Sequence, residues 1–142
     1  MTVNTASARY EGLGKDGKGH IWTKRGALDA EPYGFASRFE DGPGTNPEEL
    51  IAAAHAACFT MALSFALAKA GHQDGQLDTV AQVTLEKDGE GFTVTKSALT
   101  LTAKVPGIAQ GDFDRIADEA KANCPISKLL NCEITLEKTL EG

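Results

Sequence analysis

Cysteine is scarce in this chain, whose 142 residues include three cysteines and one tryptophan. Three cysteines are too few, and odd in number, for the disulfide framework of a small secreted protein. The sequence also lacks a Cys-x-x-Cys pair, a Gly-x-Ser-x-Gly elbow and a phosphate-cradling glycine motif, which argues against a zinc site and against hydrolase chemistry. In a reducing cytosol, cysteines that pair are usually catalytic or redox-sensing, so the first indication is of thiol chemistry.

Positive charge is also sparse and dispersed along the chain. The 14 lysines and arginines are outnumbered by 20 acidic residues, for a net charge of −6, and the basic residues form no run. A nucleic-acid-binding protein would concentrate them on one surface. We therefore expect no nucleic-acid partner.

Only one long apolar run is present, from Leu50 to Ala70. Polar residues interrupt it, among them His55, Thr60 and Lys69, which favours a buried helix of a soluble protein over a membrane span. The N-terminal residues show no basic segment followed by an apolar core. We expect a cytoplasmic protein without a membrane span.

Composition and periodicity together predict one α+β domain over residues 1–142, with antiparallel strands around two main helices. The predicted strands cover 6–11, 20–23, 33–39, 80–87, 92–105 and 133–140. The first main helix begins after a cap at Thr45 or Asn46 and ends near residue 70, and Asp112 caps the second. Pro125 restarts a short helical turn through residue 130.

The first main helix is apolar nearly all round and thin along one side, where five alanines lie between residues 52 and 57. A helix with this pattern must be buried on most faces. In a chain this small, we expect a second subunit to provide part of that cover.

Each cysteine has both a structural and a chemical interpretation. Cys58 in the apolar helix and Cys132 in the last predicted strand fit small core residues. Cys124 precedes Pro125 at a helix junction, where the backbone N–H groups of the next turn can stabilise a thiolate, although it could simply be a cap. His55 and Cys58 share a helix face and could ligate zinc, but the sequence offers no further ligands nearby.

Two segments resemble the OsmC/Ohr family, the osmotically inducible and organic hydroperoxide resistance proteins. The first is TNPEELIAAAHAACF at residues 45–59, and the second is ANCPIS at residues 122–127. The resemblance extends to the Tyr33-Gly34-Phe35 segment and to the turn at residues 105–108. The position of Arg38 resembles the OsmC branch more than the Ohr branch, whose arginine lies nearer the N-terminus.

The resemblance implies an intertwined homodimer with a peroxidase site at each end of the subunit interface and with no metal, haem or flavin. By this resemblance Cys58 attacks an organic hydroperoxide, Cys124 resolves the product as a disulfide, and an external dithiol reduces it. Arg38 matches the activating arginine and Glu48 the carboxylate that positions it. From the residues alone, these two would be a surface arginine and a glutamate at a helix start.

Two expectations accompany this assignment. An apolar pocket lined by Phe35, Phe39 and Met61 would favour organic peroxides. Ten helical residues separate Glu48 from Cys58 by about 15 Å, so we expect the helix to bend or restart between Ala53 and Cys58. The alternative function is a stress-induced small-molecule binding or structural protein whose cysteines stay reduced.

Overall fold

The computed structural model describes residues 1–142, which form two compact units, Met1–Leu50 and Ile51–Gly142. The order of elements is β1 (Ala6–Glu11), β2 (Lys18–Thr23), β3 (Glu31–Tyr33), α1 (Phe35–Phe39), α2 (Pro47–Lys69), β4 (Gln76–Asp88), β5 (Gly91–Lys104), α3 (Gln110–Asn123), α4 (Pro125–Leu129) and β6 (Glu133–Glu141). The α+β class with two main helices, α2 and α3, is confirmed.

The N-terminal unit is built on an antiparallel sheet of order β1-β2-β3. The β1–β2 hairpin pairs Ala6 with Thr23 and Glu11 with Lys18, so the second strand begins two residues before the predicted range 20–23. At the far end of the unit, Gly44 has a φ of 102°, and a Cβ there would lie 2.2 Å from the carbonyl oxygen of Pro32. Only glycine fits this approach, which lets Thr45 pair with Tyr33 just before α2 begins.

The strand predicted over residues 33–39 is wrong, because only Tyr33 lies in β3 and residues 35–39 form the short helix α1. Ser37 stabilises the helix start, since its hydroxyl accepts a hydrogen bond of 2.9 Å from the Gly34 N–H. Phe35 and Phe39 are four residues apart and therefore share one helix face, with ring centroids 5.1 Å apart. Arg38 is thus a helical residue.

Helix α2 begins as predicted. The side-chain oxygen of Asn46 accepts a hydrogen bond of 2.8 Å from the Glu49 N–H, and Pro47 occupies the first helical position. The helix is continuous from Pro47 to Lys69, so a restart between Ala53 and Cys58 is wrong, while the alternative, a bend, stays a prediction. The alanines there have high helix propensity and give the chain no reason to break.

One side of α2 is buried and the opposite side is exposed. The buried side carries His55, Phe59, Leu63 and Leu67 at four-residue spacing. The exposed α2 face, defined by Ala53, Ala57, Met61 and Phe65, includes two large side chains that are 63% and 71% exposed, Met61 and Phe65. By length and composition this helix could also cross a membrane, and 22% of its apolar window is buried within the single chain.

The C-terminal unit has a second sheet of order β4-β5-β6. The β4–β5 hairpin is antiparallel, as predicted, and begins four residues earlier than the alternation indicates, at Gln76. Strand β6 instead runs parallel to β5, pairing Lys96 with Glu133 and Lys104 with Glu141. The chain reaches β6 through α3 and α4, and such a crossover is what a parallel neighbour requires.

The core of this unit lies where α2 and α3 meet β5. Helix α3 starts after Ala109, so Asp112 lies within its first turn and is not the predicted cap. The fully or nearly buried apolar residues are Phe59, Leu63, Leu67, Leu99, Leu101, Ala103, Val105, Phe113, Ile116, Ala117, Ala120 and Cys124. One of the three cysteines therefore lies in the centre of the core.

Candidate functional site: a thiol pair and a buried imidazole

Cys58 and Cys124 come from different elements of the C-terminal unit and meet. Cys58 lies on α2 and is half-buried, whereas Cys124 is buried and separates α3 from α4. Pro125 forces this break, because the residue before a proline avoids helical backbone angles, and Cys124 has φ −56° and ψ 129°. The two thiols lie close enough for each to shift the pKa of the other. The pairing of Cys58 with Cys124 is therefore geometrically available.

The surroundings of the two thiols favour ionisation of Cys124. Burial raises the pKa of Cys58, the neighbouring Cys124 raises it further, and a backbone hydrogen bond from Ile126 offsets this only in part. Burial also acts to raise the pKa of Cys124, but hydrogen bonds from Cys58, Ser127 and Ile126 outweigh it, and the net pKa of Cys124 is lowered. Within the C-terminal unit, Cys58 therefore lacks the stabilisation that a nucleophilic thiolate needs.

A buried imidazole lies one helical turn from Cys58. His55 is fully buried, with Nδ1 2.6 Å from the Ser97 hydroxyl oxygen and Nε2 2.8 Å from the Ser127 hydroxyl oxygen. Burial lowers the pKa of His55, so the ring is neutral at neutral pH. Both ring nitrogens bond hydroxyls, and no group of three or more His, Cys, Asp or Glu side chains is arranged to hold a metal ion.

The sequence pattern does not predict this serine–histidine–serine arrangement. A signal existed in the paired spacing, since His55 precedes Cys58 by three residues and Ser127 follows Cys124 by three. A buried histidine also requires partners for both nitrogens. Nothing in the sequence singles out Ser97, which reaches His55 only because of the position of β5.

Arg38 and Glu48 form an ion pair within the N-terminal unit. The Nε of Arg38 donates to Oε1 and Nη2 donates to Oε2 of Glu48, both at 2.9 Å, a bidentate pair. The hydrogen bond and the charge of Glu48 raise the pKa of Arg38, which stays positive. The side chain of Arg38 is 36% exposed and that of Glu48 is 12% exposed. The two hydrogen bonds to Glu48 use Nε and Nη2 of Arg38 and do not use Nη1. The predicted positioning contact between these two residues is therefore present.

Of the three predicted pocket residues, two lie together on α1 and the third, Met61, lies on α2. The rings of Phe35 and Phe39 contact each other at a tilted angle, and the Arg38 guanidinium lies 5.3 Å from the Phe39 ring centre. Met61 lies on the exposed α2 face, beside a shallow groove between α2 and the start of β4. The pocket remains a prediction.

Cys132 precedes β6 by one residue and is half-buried. Its predicted place as a strand residue is therefore wrong by one position. Its strand neighbours Ile134 and Leu136 pack against the core.

Comparison with known proteins identifies the family. The model of OsmC-like proteins matches residues 40–138, a span that includes both cysteine motifs. The chain belongs to the OsmC family.

Its curated relatives include both branches of the OsmC family. The chain is 51% identical to the peroxiredoxin OsmC of Escherichia coli (strain K12) over the full length of both chains. It is 30% identical to organic hydroperoxide resistance protein-like 1 of Staphylococcus epidermidis over 87% of each. The much higher identity to the first is in keeping with the OsmC branch.

Solved structures of the OsmC family share the fold. The organic hydroperoxide resistance protein OhrB of Bacillus subtilis is 28% identical and superposes with a TM-score of 0.66, covering 96% of this chain and 98% of the other. An OsmC-like protein from Vibrio cholerae, at 17% identity and a TM-score of 0.74, covers 98% and 100% and shows the fold alone.

Proposed function

We propose that this chain is a thiol-dependent peroxidase that reduces organic hydroperoxides to alcohols, acting as one OsmC-like domain over residues 1–142. The observation that carries the proposal is the proximity of the Cys58 and Cys124 thiols inside a family whose relatives are named peroxiredoxin and organic hydroperoxide resistance protein. A half-buried thiol close to a buried one is the arrangement that sulfenic acid formation followed by disulfide closure requires.

The proposed reaction has three steps. The Cys58 thiolate attacks the distal oxygen of the hydroperoxide, the O–O bond breaks, and the alkoxide leaves as alcohol after taking a proton. The Cys124 thiolate then attacks the Cys58 sulfenic sulfur, and the hydroxide that leaves takes up a proton to form water. An external dithiol finally reduces the Cys58–Cys124 disulfide by exchange.

Arg38 is proposed to supply the cation that Cys58 lacks. The pKa of Cys58 is raised by burial and by Cys124, so without a cation Cys58 stays a thiol near neutral pH. Arg38 carries a permanent charge, is held in a fixed orientation by Glu48, and keeps Nη1 outside that pair. A guanidinium in this state can donate to a sulfur anion and to the departing oxygen.

The active assembly is proposed to be a homodimer that covers the exposed α2 face. Met61 and Phe65 are 63% and 71% exposed on this face, and Ala53 and Ala57 let another backbone approach closely. Burial of the exposed α2 face against a second subunit would explain how a cytoplasmic protein, with no membrane around it, carries so apolar a helix. An apolar pocket that includes Phe35, Phe39 and Met61 would then favour organic hydroperoxides over hydrogen peroxide.

A step-resolved assay tests the proposal. The protein is mixed with cumene hydroperoxide, tert-butyl hydroperoxide or hydrogen peroxide and a panel of dithiol reductants, and peroxide consumption is followed. Turnover with the two organic substrates is expected, and Cys58→Ser should abolish it. A reduced protein that consumes no organic hydroperoxide with any dithiol would favour the alternative, a binding or structural role.

A further inference from the structure

The thiol pair is one of the contacts that join α2 to the start of α4. His55 and Cys58 are three residues apart on α2, so they lie on one helix face. Cys124 and Ser127 are likewise three apart at the start of α4. Cys58 meets Cys124, and one turn away Nε2 of His55 lies 2.8 Å from the hydroxyl oxygen of Ser127.

The same imidazole also reaches the sheet. Nδ1 of His55 lies 2.6 Å from the hydroxyl oxygen of Ser97 on β5, and both Ser97 and His55 are fully buried. One ring therefore ties together α2, β5 and α4. No buried side-chain nitrogen or oxygen in the structure lacks a hydrogen-bond partner. Both nitrogens of the His55 ring are therefore bonded, and the bond to Nε2 fixes the position of the Ser127 hydroxyl.

The hydroxyl of Ser127 bonds the imidazole of His55, and Ser127 lies in the first turn of α4, directly after Cys124. From that position Ser127 also acts to lower the pKa of Cys124. A neutral imidazole has one N–H and one lone pair. With the proton on Nε2, the ring donates to the Ser127 oxygen, and the Ser127 hydrogen is free to bond the Cys124 sulfur. With the proton on Nδ1, the Ser127 hydrogen bonds Nε2, and its oxygen can accept the Cys124 thiol hydrogen. The same contacts therefore fit both the thiolate and the thiol of Cys124.

We propose that His55 is a positioning residue for the resolving step: through Ser127 it holds Cys124 against Cys58 and aims a hydroxyl donor at the attacking Cys124 sulfur. The inference rests on the proposed peroxidase function and concerns only its second step. In that step the Cys124–Cys58 sulfur–sulfur bond forms and the sulfenic S–O bond breaks. The hydroxide that leaves and the proton given up by Cys124 form water, so no further oxidant or reductant is needed.

The two serines provide a matched pair of variants. Ser127→Ala and Ser97→Ala each remove one buried hydroxyl from the same imidazole, but only Ser127 lies in the helical turn that follows Cys124. Each variant is mixed with one equivalent of cumene hydroperoxide and quenched over time. Dimedone traps the Cys58 sulfenic acid, an alkylating agent traps free thiols, and mass spectrometry counts the sulfenic acid and the disulfide.

Ser127→Ala is expected to form the Cys58 sulfenic acid at close to the parent rate and to convert it to the disulfide about tenfold more slowly or worse, since it loses a hydrogen bond to a charged group. Ser127→Thr, which restores the hydroxyl, should recover most of the lost rate. Ser97→Ala should lose comparable thermal stability but slow disulfide formation by no more than about threefold, because the Ser127 contact survives. His55→Leu, where it folds, should resemble Ser127→Ala.

Disulfide formation by Ser127→Ala at the parent rate would overturn the inference. An equal slowing in Ser97→Ala and Ser127→Ala would overturn it as well, because the imidazole would then act only through the stability of the unit. The proposed function is tested separately, by measuring oxidation of Cys58 in the parent protein. If Cys58 in the parent is not oxidised by the hydroperoxide, both the proposed peroxidase function and the inference about His55 lose their basis.

Discussion

Replacing Phe65 by alanine is expected to weaken the proposed homodimer without unfolding the subunit. Phe65 lies on the exposed α2 face, and 71% of its surface is accessible in the single chain. Burying a whole phenylalanine side chain contributes about 1.5–3 kcal/mol, so the exposed part of Phe65 corresponds to about 1–2 kcal/mol. A twofold-symmetric interface uses each residue twice, which brings the loss to about 2–4 kcal/mol per dimer. The dimer dissociation constant should therefore rise by about 30-fold to 1,000-fold.

Sedimentation velocity over a dilution series measures this constant directly. Val80→Ala is a suitable control, because Val80 is 60% exposed on β4. Its neighbour Thr79 faces α2 and hydrogen-bonds Thr60, so strand alternation places Val80 on the opposite face of the sheet. Val80→Ala should dimerise like the parent.

Two results would refute this reasoning. One is a parent protein that is an active monomer at micromolar concentration. The other is a Phe65→Ala variant with the parent's dissociation constant and an intact fold, which would place the subunit interface away from the exposed α2 face.

Three further predictions concern the thiols and the ion pair. Cys124→Ser should complete one round of peroxide reduction and accumulate the Cys58 sulfenic acid, whereas a Cys58–Cys132 disulfide found by mass spectrometry in the parent would contradict the resolving assignment. Cys124→Ala removes a group that raises the pKa of Cys58, so the Cys58 thiolate should form at lower pH than in the parent. Alkylation of Cys58, measured at a fixed pH below its pKa, should therefore be faster in the variant. Arg38→Lys keeps the charge but loses the bidentate bond to Glu48. Cys58 oxidation should slow by about tenfold or more, with little change in melting temperature. An unchanged oxidation rate would make Arg38 a purely structural residue.

Elements with strong local signals were predictable from the sequence. The Asn46 side chain and the Pro47 ring define the start of α2, and the β4–β5 segments alternate apolar and polar residues in sequence, although their pairing shifts by a bulge at Thr84 and Leu85. Segment 35–39 was ambiguous, because aromatics at 33, 35 and 39 fit a strand, while 35 and 39 also fit one helix face. The parallel pairing of β6 depends on its distant partner β5, which no local pattern specifies.

The residues of the candidate site also fall into those that the sequence predicts and those that it does not. Cys58 and Cys124 were identified by the motifs around them, and the Arg38–Glu48 pairing followed from the family resemblance. The partners of His55 could not be predicted, because Ser97 is 42 residues away and Ser127 is 72 residues away along the chain. Whether those hydroxyls reach the ring depends on how β5 and α4 pack against α2, which is a property of the folded core.

Cys58 and Cys124 are far apart along the chain, so a disulfide between them would restrict the unfolded chain and make the free energy of unfolding depend on the redox state. A Cys58–Cys124 disulfide would close a loop of about 65 residues, which in a chain-entropy account favours the folded state by roughly 4 kcal/mol. That loop contains the whole β4–β5 hairpin and helix α3. Each peroxide reduced would thus leave the protein transiently harder to unfold, and each reduction by a dithiol would restore its original stability.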